Sequence, residues 1–227
     1  MDIASCPVCA YSGPFRHVSV LWPGLIEEWN LSPEEAAYVN RQQGTHCPRC
    51  GCNLRCVVLA MTIMKFQGWQ SSFDRLVISS ELKVLEINAC GELTRFLARM
   101  PFRTLATYPA VDMQRMPYPD NSFDLVVHSD TLEHVSDPII GLSECRRVLR
   151  PGGACAFTVP IIVGRMSRSR EGLPASYHDR EGTTDEGQRV HTEFGADAWM
   201  YAMRAGFSDV RIISLEYPAA HALLCVK

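Results

Sequence analysis

Apolar residues along this chain fall into short runs separated by proline, glycine and polar turns, and the lengths of those runs predict its elements. Leu54–Phe66 is apolar on most faces and free of proline, which predicts a buried helix. Trp69–Leu76 predicts a loop and a further short helix. Lys83–Gly91 reads as an apolar strand carrying an acid, followed by a tight turn of small residues. Arg103–Thr107 and Leu125–His128 predict two more strands. Asp137-Pro138 opens a helix reaching Leu149, with Ile140, Val148 and Leu149 directed inward. Pro151-Gly152-Gly153 stops it ahead of a strand over Ala154–Val159. Gly195–Phe207 predicts a helix with a glycine stop, and Val210–Leu215 and Ala220–Val226 predict two closing strands. The stretch from Lys83 to Pro160 reads as most of a nucleotide-cofactor fold.

Composition adds little to this picture and removes some alternatives. The 227 residues suffice for one full core plus a small appendage, with 47% hydrophobic and 21% charged residues. A net charge of −3 argues against nucleic acid or an anionic membrane as the main partner. The N-terminus lacks a basic start followed by an apolar run, and the longest clean apolar stretch, Val57–Met64, is far short of the ~20 residues that span a bilayer. The expected location is cytoplasmic.

The ten cysteines change the picture more. Cys6-Pro7-Val8-Cys9 and Cys47-Pro48-Arg49-Cys50 are two C-P-x-C knuckles, each able to aim two thiolates at one ion. Together Cys6, Cys9, Cys47 and Cys50 predict a closed, structural tetrahedral Zn²⁺ site. Cys52 and Cys56 read as bystanders, with Cys52 the one alternative ligand. The 37 residues between the knuckles must form an insertion. Within it Ser32 predicts a helix N-cap, with Pro33 at the first helical position and Glu35 three residues after the cap. The expected division is a zinc-binding limb over 1–56 and a catalytic domain over 57–227. The limb reads as a substrate-side lid or an interaction surface.

Over roughly residues 80 to 215, the order of pieces resembles the class I S-adenosylmethionine-dependent methyltransferases, in their methyltransferase-11-like branch. The residues that carry the resemblance are Val84–Gly91, then Asp112-Met113 with Met116-Pro117-Tyr118 and Asn121-Ser122-Phe123-Asp124, then Arg146–Gly153. It implies an α/β, Rossmann-like fold: a seven-stranded, mostly parallel sheet with a closing antiparallel hairpin, here beside a small zinc-ribbon-like limb. It also implies S-adenosylmethionine as cofactor. Glu86 takes the place of the acid beneath the cofactor's amino-acid end, and Ile87, Asn88, Ala89 and Gly91 take that of the glycine turn. That turn reads Asn88-Ala89-Cys90 with Gly91 alone retained; asparagine tolerates a positive φ better than other non-glycine residues. Tyr108 stands where the family commonly has an acid for the ribose hydroxyls. Asp112 and Met113 match the adenine-binding pair, while His128 and Ser129 close the next strand at the sheet's carboxyl edge.

Downstream, Arg165, Arg168 and Arg170 lie in a serine-rich loop of the kind that borders an acceptor pocket, where they would hold a carboxylate or phosphate or else form a solvated basic loop. His178 and His191 flank a polar segment and are the candidate general bases for methyl transfer to oxygen or nitrogen. The expected reaction is methylation of a small-molecule or glycan-like, possibly anionic, acceptor. The competing readings are an S-adenosylmethionine-binding enzyme of other chemistry and a non-catalytic scaffold using its zinc limb for binding.

Overall fold

The computed structural model describes residues 5–177 and 184–227. In chain order the first part contains β1 (Arg16–His17), α1 (Pro23–Glu28), α2 (Pro33–Gly44), β2 (Thr45–His46), α3 (Leu54–Phe66) and α4 (Phe73–Ser79). The middle contains β3 (Val84–Ile87), α5 (Thr94–Leu97), β4 (Arg103–Ala106), β5 (Phe123–Ser129), α6 (Pro138–Val148) and β6 (Leu149–Thr158). The last part contains β7 (Ile161–Ile162), β8 (Arg168–Ser169), β9 (Thr192–Gly195), α7 (Trp199–Arg204), β10 (Asp209–Leu215) and β11 (Ala220–Val226).

Six strands in the order β10-β11-β6-β5-β3-β4 form the central sheet. The β4, β3, β5 and β6 pairings are parallel, and β11 and β10 close the sheet as an antiparallel hairpin. The expected count of seven strands is therefore corrected to six among the described residues. Only Thr107–Val111 separate the end of β4 from Asp112. A parallel crossover needs a dozen or more residues, so no helix and extra strand fit there.

Every residue of β3 and β5 is buried, as in parallel strands covered on both faces. Alternation divides them between two cores. Leu125 and Val127 face α3 and α4, while Val126 faces α6 and α7 with Phe157 and Leu223. Along α6 the buried positions are Pro138, Gly141, Leu142, Cys145 and Val148, one helical face. Ile140 lies off that face and is 48% exposed, against the expectation that it points inward. Leu149 is inward but already belongs to β6, which takes in Pro151-Gly152-Gly153 through a register shift opposite Phe123–Leu125.

The helix expected over Gly195–Phe207 shortens to α7, because Thr192–Gly195 pairs with β7 and β8 as a small sheet. At Gly195 a Cβ would lie 2.1 Å from the Arg165 carbonyl oxygen, so the close crossing of these two segments requires glycine.

Helix α3 joins the N-terminal limb to the sheet, and the expected division after residue 56 falls inside it. Asn53 caps it by accepting a hydrogen bond from the Cys56 amide at 3.0 Å. On the limb side, α2 starts with the full capping box of Ser32 and Glu35, worth about 1 kcal/mol. The insertion folds back on the body: Leu25, Trp29, Leu31 and Tyr38 share a core with Leu54 and Val58 of α3 and Ala220 and Ala222 of β11.

Candidate active site

The carboxyl end of β3 turns through Asn88, whose φ of +55° is the left-handed conformation that asparagine tolerates. Its amide donates to the Ala106 carbonyl at 2.7 Å, and its side-chain oxygen accepts from the Tyr108 amide at 3.0 Å. The side chain thus bridges the ends of β3 and β4, which a glycine would leave unlinked. Gly91 also has a positive φ, +57°. A Cβ there would meet the Cys56 thiol at 3.3 Å and the Arg55 guanidinium at 3.4 Å, so α3 presses on the turn at the one glycine that remains.

Glu86 lies behind this turn. It is fully buried, accepts from Thr94 Oγ1 at 2.6 Å and the Cys90 amide at 3.2 Å, and pairs with Arg103 at 2.7 Å. These donors satisfy the carboxylate from within the protein. Its place is under the turn and outside the cavity lining, where its hydrogen bonds organise the turn. His128, expected at the cofactor site, also lies outside the cavity lining and is fully buried. It faces the α6 side, stacks on Phe157 with ring centroids 4.7 Å apart, and lies with the Cys145 and Cys155 thiols, their nearest ligand atoms within 4.8 Å of one another. Burial pushes its pKa down to about 3.

Asp112 and Met113 form the second wall. Asp112 Oδ1 accepts from the Gln114 amide at 2.8 Å, and the Gln114 carboxamide oxygen accepts from Ser136 Oγ and the Asp137 amide, each at 3.0 Å. The segment after β4 is thereby tied to the segment after β5. At the end of β5, Ser129 shares a hydrogen bond with Thr158 at 2.7 Å. Asp130, at φ +43°, pairs with Arg55 of α3 and accepts from Gln43 of α2 at 3.1 Å.

A cavity of about 1010 Å³ opens where these pieces meet, outside the carboxyl ends of β3, β4 and β5. Ile87, Asn88, Ala89 and Gly91 line one part of it, with Tyr108, Asp112, Met113 and Ser129 beside them. His191 lines it from the other side. Burial, then the charges of Arg189 and His134, lower the pKa of His191, which keeps its ring neutral at pH 7. The His191 amide donates to the Glu133 carbonyl at 2.7 Å, and His134 Nδ1 lies 3.1 Å from the Arg189 carbonyl. Glu133 itself is buried, and desolvation pushes its carboxyl up to about 8. His178 lies outside the described residues.

The arginines of the post-β6 loop do not line the cavity. Arg165 pairs with Glu35 at 2.7 Å and donates to the Trp29 carbonyl at 2.9 Å. Its guanidinium holds the Glu35 carboxyl down at about 2. Arg168 and Arg170 both pair with Glu193. All three pair with carboxylates of the chain itself, Arg165 fastening the insertion and Arg168 and Arg170 fastening β9.

Sequence reading overlooked the residues that α3 and the insertion bring in. Arg55, Gln43 and Asp130 form a polar group on the cavity wall, and Trp22, Leu25 and Trp29 give it an apolar side. The two tryptophans in a short insertion were the available signal.

The four knuckle cysteines come together although 37 residues separate the pairs. Cys6 and Cys50 sulfurs are 3.7 Å apart, as are those of Cys9 and Cys47, and all four lie within 4.8 Å of one another, buried. The two knuckles have matching backbones. The Cys6 and Cys47 amides donate to the carbonyls of Tyr11 and Cys52, and the residues after the second cysteines, Ala10 and Gly51, both have positive φ. The Cys50 carbonyl accepts from Arg95 just beyond the cofactor-side turn.

Residues 83–157, running from β3 into β6, match the family model described as a methyltransferase domain. Over 81 residues the chain is 38% identical to a probable S-adenosylmethionine-dependent methyltransferase of Mycolicibacterium smegmatis, covering 34% of this chain and 31% of that protein. It is 36% identical over 83 residues to a ubiquinone/menaquinone biosynthesis C-methyltransferase of Stenotrophomonas maltophilia, covering 35% and 32%. The chain thus spans about a third of the length of these curated relatives. The solved 1,6-didemethyltoxoflavin-N1-methyltransferase of Burkholderia thailandensis overlays with a TM-score of 0.46 and 13% identity, covering 93% of this chain and 92% of that one. The family match and the curated relatives support an S-adenosylmethionine-dependent methyltransferase domain over β3 to β6. No helix among the described residues is long and apolar enough to cross a membrane.

Proposed function

We propose that this protein transfers a methyl group from S-adenosylmethionine to an oxygen or nitrogen of a small-molecule acceptor, on a catalytic domain braced by a structural Zn²⁺. The observation that carries this reading is that one and the same cavity beside the β3 turn is lined by the cofactor-type residues and by His191. The residues present fit the cofactor. Asn88–Gly91 offer a turn of small residues, Asp112 and Met113 an acceptor and an apolar face, and Ser129 and Arg55 polar groups at the opposite end. When bound, the cofactor supplies an electrophilic methyl on a sulfonium sulfur. The chain's own residues would hold it, exclude water through the insertion and, at His191, take the acceptor's proton.

The four thiols likewise fit Zn²⁺. Tetrahedral bonds of ~2.3 Å set sulfur–sulfur edges of ~3.8 Å, close to the 3.7 Å of the two cysteine pairs. Its role would be to hold the two knuckles, and with them the insertion, against α3. The pairing of Arg165, Arg168 and Arg170 with carboxylates of the chain favours a neutral acceptor over an anionic one. Calorimetry with S-adenosylmethionine on the wild type and Asp112→Ala tests the reading. Binding weakened about tenfold in the variant is expected, equivalent to about 1.4 kcal/mol. Absence of binding to a folded, metal-loaded wild type would sink it and leave the scaffold reading.

A further inference from the structure

The cavity is at the upper end of the roughly 300–1,000 Å³ typical of small-molecule pockets, at about 1010 Å³, which leaves room for an acceptor beside the cofactor. Its two ends differ in chemistry. The end formed by β3, β4 and β5 carries the polar groups of the cofactor side. The other end is walled by the insertion between the cysteine knuckles, through Leu21, Trp22, Leu25, Trp29, Leu31 and Val39, with Ile162 across from them.

We infer that the acceptor is a neutral, flat and largely apolar molecule bearing an O–H or N–H, of the phenol or hydroxy-aromatic class, seated on Trp22 and Trp29. The inference rests on the methyl transfer proposed above. Tryptophan offers a large rigid face to a ring at little entropic cost. Trp29 is fixed for that use, since its indole N–H donates to Ser176 Oγ at 2.9 Å and its carbonyl accepts from Arg165. The insertion is further held by the Tyr38 hydroxyl, which accepts from the Val163 amide at 3.1 Å, and by Arg41 against Glu216 at 2.6 Å.

Charge excludes an anion. Arg55 is the one lysine or arginine lining the cavity among the described residues, and it is paired with Asp130. Asp112, Asp185 and Glu186 also line it, and each is engaged within the chain, Asp112 by the Gln114 amide, Asp185 by the Gly187 amide and Glu186 by Tyr177 and Arg189. A neutral acceptor therefore matches the wall better than an ion of either sign. In the transfer, a lone pair on the acceptor's oxygen or nitrogen forms the new bond to the methyl carbon. The sulfur keeps the electron pair of the bond that breaks, and the acceptor's proton passes to His191. A neutral His191 is ready for that proton, and burial keeps it so.

Calorimetry on zinc-loaded protein saturated with S-adenosylhomocysteine tests the acceptor class, using naphthol, naphthoate, naphthylmethylammonium and methyl glucoside as probes. Naphthol should bind at least about tenfold tighter than the other three. Trp22→Ala should weaken naphthol about tenfold while S-adenosylhomocysteine binding stays within about twofold. Val39→Lys, which puts a cation on a half-buried wall position, should reverse the preference toward naphthoate. Naphthoate, naphthylmethylammonium or methyl glucoside binding as tightly as naphthol overturns the inference, as does naphthol binding unchanged in both variants. If S-adenosylhomocysteine fails to bind while naphthol keeps its preference in the unloaded protein, methyl transfer falls and the apolar site stands.

Discussion

The two ends of the cavity are built in opposite ways. The proposed cofactor end comes mainly from β3 to the segment after β5, tied by Asn88 to Tyr108, Asp112 to Gln114 and Asp137 to the amides of Ile139 and Ile140, with Arg55 of α3 at its edge. The apolar end, where the acceptor is proposed to sit, comes from segments more than a hundred residues apart, held by Arg165 on Glu35 and Trp29 on Ser176. A local motif fixes its own geometry. A wall assembled from distant segments depends on whatever anchors them, and here the anchors are the cysteine knuckles, the ion pairs of Arg165 and Arg41, and the hydrogen bonds of Trp29 and Tyr38. The acceptor end should therefore fail first when an anchor is removed, and the cofactor end when its buried carboxylate loses its partner.

Removing two of the four thiols proposed to hold Zn²⁺, with Cys47→Ser and Cys50→Ser, should have the largest effect. Metal content, read by plasma mass spectrometry, should fall from about one ion per chain to near zero, with loss of several kcal/mol of folding energy. Hydrogen exchange should show protection lost over α1 and α2 and retained over β3, β5 and β6. Uniform protection in metal-free protein would break the comparison.

Arg103→Leu attacks the other end. It leaves the Glu86 carboxylate buried without its cation, a loss of about 3–5 kcal/mol. Urea unfolding should show this loss, S-adenosylmethionine binding should weaken, and the zinc content should remain. A variant with wild-type cofactor affinity would show that the turn does not depend on Glu86.

Acid should act on the sheet beneath both ends. His128 is buried and held down at about 3, against 6.5 in an open chain. Between those pH values the unfolded chain holds the extra proton, so stability falls as pH falls, by at most about 1.4 kcal/mol per unit. Urea midpoints at pH 7 and 5 should differ accordingly, and His128→Leu should flatten that dependence. An unchanged slope in His128→Leu would assign acid sensitivity to another group.

The smallest effect is expected from Ser32→Ala, which removes half of the α2 capping box and should cost about 1 kcal/mol. Naphthol affinity should drop more than cofactor affinity, because α2 carries Val39 and Gln43 into the cavity. Equal losses at both ends would mean that α2 supports the whole cavity rather than one side.

Legibility in the sequence follows the same division. Helix α3 spans the predicted Leu54–Phe66, and β11 the predicted Ala220–Val226. The Asn88 turn, the Ser32 cap and the convergence of four cysteines were also legible, because each is signalled by residue types acting on neighbours or by a repeated knuckle. The predictions that changed concern placement: Ile140 outward, Gly195 in a strand, Glu86 behind the turn and His128 on the far face of the sheet. Strand alternation puts His128 on the α6 side with Val126, a fact that the apolar run of β5 did not reveal because both faces are buried.

The sequence by itself determined the unit from β3 to β6, the pairing of the knuckles and the starts of the main helices. In each case a cap, a glycine or a fixed spacing restricts the backbone within a few residues. Only the tertiary structure decided that Arg165, Arg168 and Arg170 pair with Glu35 and Glu193, and that Trp22 and Trp29 line the cavity. An arginine in a loop carries the same charge whichever carboxylate it meets. Its partner is set by which distant segment packs beside it, and no local signal records that.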